Sequence, residues 1–390
     1  MYSLIVLLTT VGLMAANFTI GSQAQGVRVG NVYIPASSIE HPRDIGVRAH
    51  TCFEIYVGPR GGKGAPGGGN GPAGAMTPQQ IRQFYNLPST GGSQIIAIVD
   101  AYHNPNALSD FNTFATYYGL PTEPASNVMT STNQIFQVLY ADGSQPGLDP
   151  TGDWEFEESI DVQWAHAMAP NAKIVLIETT DNSYVNLLSG VDAATNFIDG
   201  NGLTPKEISC SWGGSEFSFE TNYESHFTGT GAVYFACAGD DAAPGWWPSF
   251  SPNVVSAGGT LVTTDTNGNF VSEAGWSDGG GGPSQYEPIP FFQSNIGIIT
   301  SNGGRGIPDL SFDSAPGSGV SVYDSNYYQN GDFVWWVAYG TSIASPSLAG
   351  IANLAATVQG PFPAGSQALL STIYSNLGSN NFRDITSGNN

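Results

Sequence analysis

Four short apolar runs, QIIAIVDAY (94–102), KIVLIE (173–178), EISCSWG (207–213) and AVYFACAGD (232–240), are separated by stretches of helical character. A strand that is apolar on both faces has no side left for water, so it must sit inside a sheet that is covered twice. The stretches LSDFNTFATYYGL (108–120), FEESIDVQWAHAMA (156–169) and YVNLLSGVDAATNFI (184–198) read as helices, and TPQQIRQFYNL (77–87) as a shorter one with a Thr-Pro start. Alternating strand and helix predicts an α/β fold, a mostly parallel twisted sheet with helices on both faces. Ligands of such sheets bind at the carboxyl ends of the strands. Residues 241 to 338, rich in Gly, Ser and Asp, read as hairpins and turns whose order the pattern leaves open.

The chain has 390 residues, enough for one large domain or two ordinary ones. Its 32 acidic residues face only 10 Lys and Arg, a formal net charge of -22. Phosphate backbones need clustered cations, so nucleic acid is excluded as a partner, and anionic membranes are disfavoured for the same reason. Such self-repulsion strains a compact state at neutral pH and relaxes once carboxylates are protonated, which suits a protein working in acid.

At the amino terminus an apolar stretch from Leu4 to Ala16 reads as a secretory signal peptide over residues 1–24, cut after Ala24. A short segment follows (25–58), then a Gly/Pro-rich linker, PRGGKGAPGGGNGPAGA (59–75), and one continuous domain from 76 to 390. The three cysteines, Cys52, Cys210 and Cys237, are too few and odd in number for a disulfide framework, so Cys210 and Cys237 are expected to be buried thiols.

Chemistry concentrates in three places. YGTSIASPSLAGI (339–351) sets Ser342 at the mouth of an apolar helix, behind a glycine. Taken alone, that serine fits a helix cap as well as a nucleophile. Glu157 and Asp161 lie one turn apart on one helix face, beside the apolar stripe of Phe156, Ile160 and Trp164. Desolvation there would raise both carboxyl pKa values, but Asp153, Glu155 and Glu158 crowd the same turns, and from the spacing alone a solvated acidic face is the favoured reading. Asp240 follows a glycine at the carboxyl end of a buried run, where a turn residue is also common. Of the five histidines, His41, His50, His103, His166 and His226, none lies in a turn typical of a catalytic base.

YGTSIASPSLAGI, EESID, ISCSWGG and CAGDDAAP, with SPNVVSAGGT, EAGWSDGGGGPS and RGIPDLSFDSAP in the same order, resemble segments of the sedolisin family of serine-carboxyl peptidases. The resemblance runs over about residues 76 to 390 and implies a subtilisin-like fold. It implies Ser342 as nucleophile, Glu157 as general base, Asp161 as the acid sharing its proton, and protonated Asp240 in the oxyanion hole. Ser211, Trp212 and Gly213 become an edge on which a polypeptide substrate lies as an added strand. A secreted, extracellular, acid-acting monomer is expected.

Two features depart from the family pattern. The family's large prodomain is reduced to residues 25–58, a relic at most. Its structural calcium is matched only by Asp384 and Ile385 near the carboxyl end, so the site is expected to be incomplete, with further ligands beyond Asn390. Two alternatives stand beside this reading. One is a subtilisin-type peptidase using Asp100, a histidine and Ser342, with a neutral optimum. The other is a secreted binding or structural protein that keeps the fold without catalysis.

Overall fold

The structure, a computed structural model, describes residues 26–58, 69–229, 231–327, 334–359 and 365–389. The expected signal peptide and residues 59–68 of the linker lie outside the described residues. The central sheet runs in the order Phe270–Gly275, Val254–Thr264, Val233–Cys237, Pro205–Cys210, Ile95–Ala101, Lys173–Thr179 and Phe136–Tyr140, with Leu310–Asp313 also paired to Val254–Thr264. All of these pairs are parallel except Val254–Thr264 with Phe270–Gly275.

Alternation along the strands sorts the core into two layers. Ile96, Ile98, Ile174, Leu176 and Phe235 face one side and meet Ile160, Trp164 and Ile343 from the Asp153–Met168 and Thr341–Gln359 helices. Ile95, Ala97, Val99, Val175 and Ile177 face the other and meet Leu187, Leu188 and Val191 of the Tyr184–Asn196 helix. Every residue of Ile95–Ala101 and Lys173–Thr179 is buried, as their nearly continuous apolar runs predict.

The segment ahead of the linker is not a separate unit. Val27–Val29, Val32–Ile34 and Glu54–Tyr56 join Trp335–Tyr339 and Val320–Tyr323 in a five-stranded antiparallel sheet. The described end of the linker is also packed, with Ala75 buried and the Met76 N–H donating to the Gly319 carbonyl at 2.9 Å. The cysteine expectation is corrected as well. Cys52 and Cys237, 185 residues apart, form a disulfide with Cα atoms 6.7 Å apart, and Cys210 alone is a buried thiol. No helix of the described residues is long and apolar enough to cross a membrane.

Candidate active site

Ser342 is the second residue of the Thr341–Gln359 helix and is wholly buried. The turn that delivers it requires glycine. Gly340 has φ of +111°, and a Cβ there would fall 2.1 Å from the Cys52 carbonyl oxygen and 2.5 Å from Asp240 Oδ2. Two amides at the helix start then point outward. The Thr341 N–H donates to Asp240 Oδ1 at 2.8 Å, and the Ser342 N–H donates to the Cys52 carbonyl at 2.9 Å. Pro346 has no N–H for the Ser342 carbonyl four residues before it. The Ser211 hydroxyl donates to that carbonyl instead, at 3.3 Å.

The Asp153–Met168 helix carries the two acids. Asp149 caps its start, its Oδ2 accepting the Asp153 and Trp154 amides at 3.0 and 3.2 Å. Arg82 closes its end, donating to the Ala167 and Met168 carbonyls at 2.7 and 2.8 Å. Along its length the helix packs on the Thr341–Gln359 helix, where Gly350 leaves space for the Ala165 carbonyl and the Met168 side chain.

All 16 residues of the Asp153–Met168 helix are buried, so the solvated acidic face is ruled out. Glu157 lies beside Ser342 and Asp161, and Asp161 beside Ser211. Their carboxyl oxygens are sealed from water without a closed hydrogen bond. The Ser342 hydroxyl donates to the Ser211 carbonyl at 3.3 Å and receives the Cys52 N–H at 3.1 Å. Burial holds both acids well above the ordinary carboxyl range, and the neighbouring Asp100 carboxyl adds to it. The two titrate as a pair.

Asp240 follows the Val233–Cys237 strand. It accepts both the amide and the hydroxyl of Thr341 on Oδ1, while Oδ2 is buried and unpartnered. Burial pushes its pKa well up against those two bonds, and Glu54 and Asp241 push it further. Oδ2 and the Cys52 carbonyl both flank the spot a Gly340 Cβ would fill.

Sequence reasoning considered Asp100 only as the partner of a histidine. It is wholly buried at the end of Ile95–Ala101, raised to about 8 by burial and by Glu178, and it holds Glu157 and Asp161 up in turn. An acid ending a buried strand was the available signal. The histidines are held elsewhere: His50 Nδ1 meets the Ser37 carbonyl at 3.0 Å, and His103 Nδ1 meets Glu178 at 2.7 Å. His166 Nε2 meets the Pro121 carbonyl at 2.8 Å, His226 meets Asp192 at 3.0 Å, and His41 is exposed. The Asp100–histidine–Ser342 alternative therefore lacks its base among the described contacts.

The expected substrate edge is already occupied by the chain itself. Thr51 pairs antiparallel with Trp212, and His50 with Gly213. On the opposite side the Ala49 N–H donates to the Asn182 carbonyl at 2.9 Å, and the Tyr184 N–H to the Val47 carbonyl at 3.0 Å. Residues 47–52 are thus the middle strand of a three-stranded arrangement, with the Cys52 carbonyl on the Ser342 amide.

Asp384 is exposed and Ile385 half-buried, and among the described residues no three His, Cys, Asp or Glu side chains gather as a metal site. Calcium takes six to eight oxygens. These two residues alone do not fit it.

No family model matches the chain. Sedolisin of Pseudomonas sp. (strain 101) is 36% identical over 116 residues, covering 27% of this chain and 18% of that protein. Xanthomonalisin of Xanthomonas sp. (strain T-22) is 32% identical over 166 residues, covering 37% of this chain and 18% of that protein. Each alignment therefore spans less than a fifth of the curated relative's own length. The solved structure of Pseudomonas sedolisin, a serine-carboxyl proteinase complexed with two molecules of pseudo-iodotyrostatin, matches with a TM-score of 0.66 at 23% identity. That match covers 84% of this chain and 90% of the solved one.

Proposed function

We propose that this chain, similar over part of its length to sedolisin and xanthomonalisin and sharing the fold of the solved sedolisin, is a secreted, acid-acting serine-carboxyl endopeptidase of that family. The reading is carried by one observation: Ser342, Glu157, Asp161 and Asp240, from three distant stretches of chain, converge at one helix start.

In this reading Ser342 Oγ attacks the scissile carbonyl. Glu157 takes the hydroxyl proton and later returns it to the leaving amine. Asp161 shares that proton and orients Glu157. Asp240 works as a neutral acid. Its Oδ1 is committed to Thr341, so its proton resides on Oδ2 and donates to the oxyanion beside the Ser342 N–H. Only a protonated Asp240 can donate, so activity falls as pH rises through its ionisation.

Secretion is supported by the Cys52–Cys237 disulfide, which belongs in an oxidising compartment. The test is turnover of a denatured protein at about pH 4, wild type against Ser342→Ala. Both proteins are assayed with the Cys52–Cys237 disulfide reduced; loss of turnover in the variant is expected, and equal turnover in both would overturn the assignment. The non-catalytic alternative draws on the filled substrate edge at Trp212 and Gly213, and absence of turnover with the cleft opened would favour it.

A further inference from the structure

We propose that the Cys52–Cys237 disulfide latches residues 47–52 in the substrate cleft, so that the peptidase is gated by thiol–disulfide exchange. This rests on the peptidase reading of Ser342. The strand lies where a substrate's would: between two backbone edges, with the Cys52 carbonyl on the Ser342 amide and the Cys52 N–H on the Ser342 hydroxyl. The side chain of that same residue is bonded to Cys237, three residues before Asp240, and packs with Trp246. The covalent anchor therefore sits on the strand residue that is hydrogen-bonded to the nucleophile. A polypeptide from outside must displace the strand to reach Ser342, and it cannot displace one bonded to the cleft wall.

Cleavage of the chain's own Cys52–Phe53 peptide would not clear the site. The new carboxyl end at Cys52 would remain tied to Cys237 and stay on the Trp212–Gly213 edge. Opening requires the S–S bond to break. The thiolate of a dithiol reductant attacks one sulfur, and the other cysteine leaves and takes up a proton. The second thiol of the reductant then closes its own disulfide and frees the remaining cysteine. Two electrons pass from the dithiol to the Cys52–Cys237 pair, giving two thiols. Both cysteines are wholly buried, so exchange waits on local opening and is slow. Once the bond is broken, the strand holds the cleft by hydrogen bonds alone and competes with substrate.

The experiment uses the full chain with its disulfide intact or reduced by a phosphine, which does not depend on a thiolate, and counts thiols by mass labelling. Two readouts are taken: hydrolysis of a denatured protein in acid, and amide hydrogen exchange over residues 47–53. The latch predicts at least a tenfold rise in turnover on reduction, together with loss of protection at 47–53. Cys237→Ser should be active without reductant and indifferent to it; if that variant fails to fold, the reduced wild type carries the test. Full turnover with the disulfide intact overturns the latch. Unchanged protection after complete reduction overturns it too, whatever the activity. Protection lost with no turnover in either state supports the latch and overturns the peptidase reading instead.

Discussion

The backbone N–H of Ser342 donates to the carbonyl of Cys52 at 2.9 Å. A free amide at the start of a helix thus holds a peptide carbonyl directly above the hydroxyl proposed to attack such groups. Asp240 Oδ2 lies near the same carbonyl, buried and with no other partner. The amide and the acid together form a two-donor site as long as the acid keeps its proton.

Replacing Asp240 by Ala should therefore lower kcat by about 10²–10³, the usual cost of one oxyanion donor. Asp240→Asn keeps an acceptor for Thr341 and a donor for the oxyanion, so it should retain more activity. Because the amide does not ionise, the gap between wild type and Asp240→Asn should narrow as pH rises. Kinetics on both variants across the acid range would reveal this, and equal losses at every pH would count against a protonated Asp240.

Stability should follow pH in the same direction. Burial raises Asp100, Glu155 and Glu207 to about 8 and Asp324 to about 7. Each binds its proton more tightly folded than unfolded. The stabilisation is therefore complete below about pH 4 and drains away as pH climbs toward 8. His166, pushed down to about 4 by burial, opposes this between 6.5 and 4, and His50, Asp181 and Asp199 oppose it too, but the raised buried acids outnumber them. Thermal melts from acid to neutral pH should show a falling Tm; a flat or rising Tm would refute this account of the buried acids.

Gly340→Ala tests the turn before the nucleophile. At φ of +111° a non-glycine residue costs about 1–3 kcal/mol. The new methyl would also collide with the Cys52 carbonyl and Asp240 Oδ2. Denaturant unfolding should register at least that loss, and turnover should drop with it. A variant of native stability would mean the turn is not built as described.

Arg305 and Asp309, within the RGIPD stretch, serve the scaffold. Arg305 is wholly buried and donates to Asp309 Oδ2 at 2.6 Å and to the Val254 and Ser251 carbonyls at 2.8 and 3.1 Å. Asp309→Asn strands a buried guanidinium, which typically costs about 3–5 kcal/mol. Chemical denaturation should show that loss, with the acid pH profile of the surviving folded protein unchanged; a shifted profile would tie this pair to catalysis.

Much of this architecture was legible because burial leaves a periodic trace. Ile95–Val99 and Ile174–Ile177 are unbroken apolar stretches, and the Thr-Pro start of TPQQ matches the helix that Thr77 caps by accepting the Gln80 backbone N–H. Phe136–Tyr140 escaped because five residues containing a glutamine carry too little periodicity. Strands such as Val27–Val29 and Val32–Ile34 are three residues long, and they connect through Glu54–Tyr56 to Trp335–Tyr339 across most of the chain. The Cys52–Cys237 pair was hidden for the same reason. The Asp153–Met168 helix was ambiguous from spacing alone: its acids look like a solvated face because charge normally avoids the core, and here burial raises their pKa values instead. The catalytic candidates were found by motif, and Asp100 was placed only in the histidine alternative because no motif tied it to Glu157 and Asp161.

The central claim is that acids, and no imidazole, activate Ser342. Its most direct measurement is the pH dependence of kcat/KM for the chain with its cleft opened by reduction, wild type beside Glu157→Gln. The account predicts activity that falls as pH rises through the ionisation of Asp240 and of the Glu157/Asp161 pair, and that is reduced by at least about 10² in Glu157→Gln, the usual scale of a positioned base. Activity that instead rises toward neutral pH, or that survives Glu157→Gln undiminished, would contradict it.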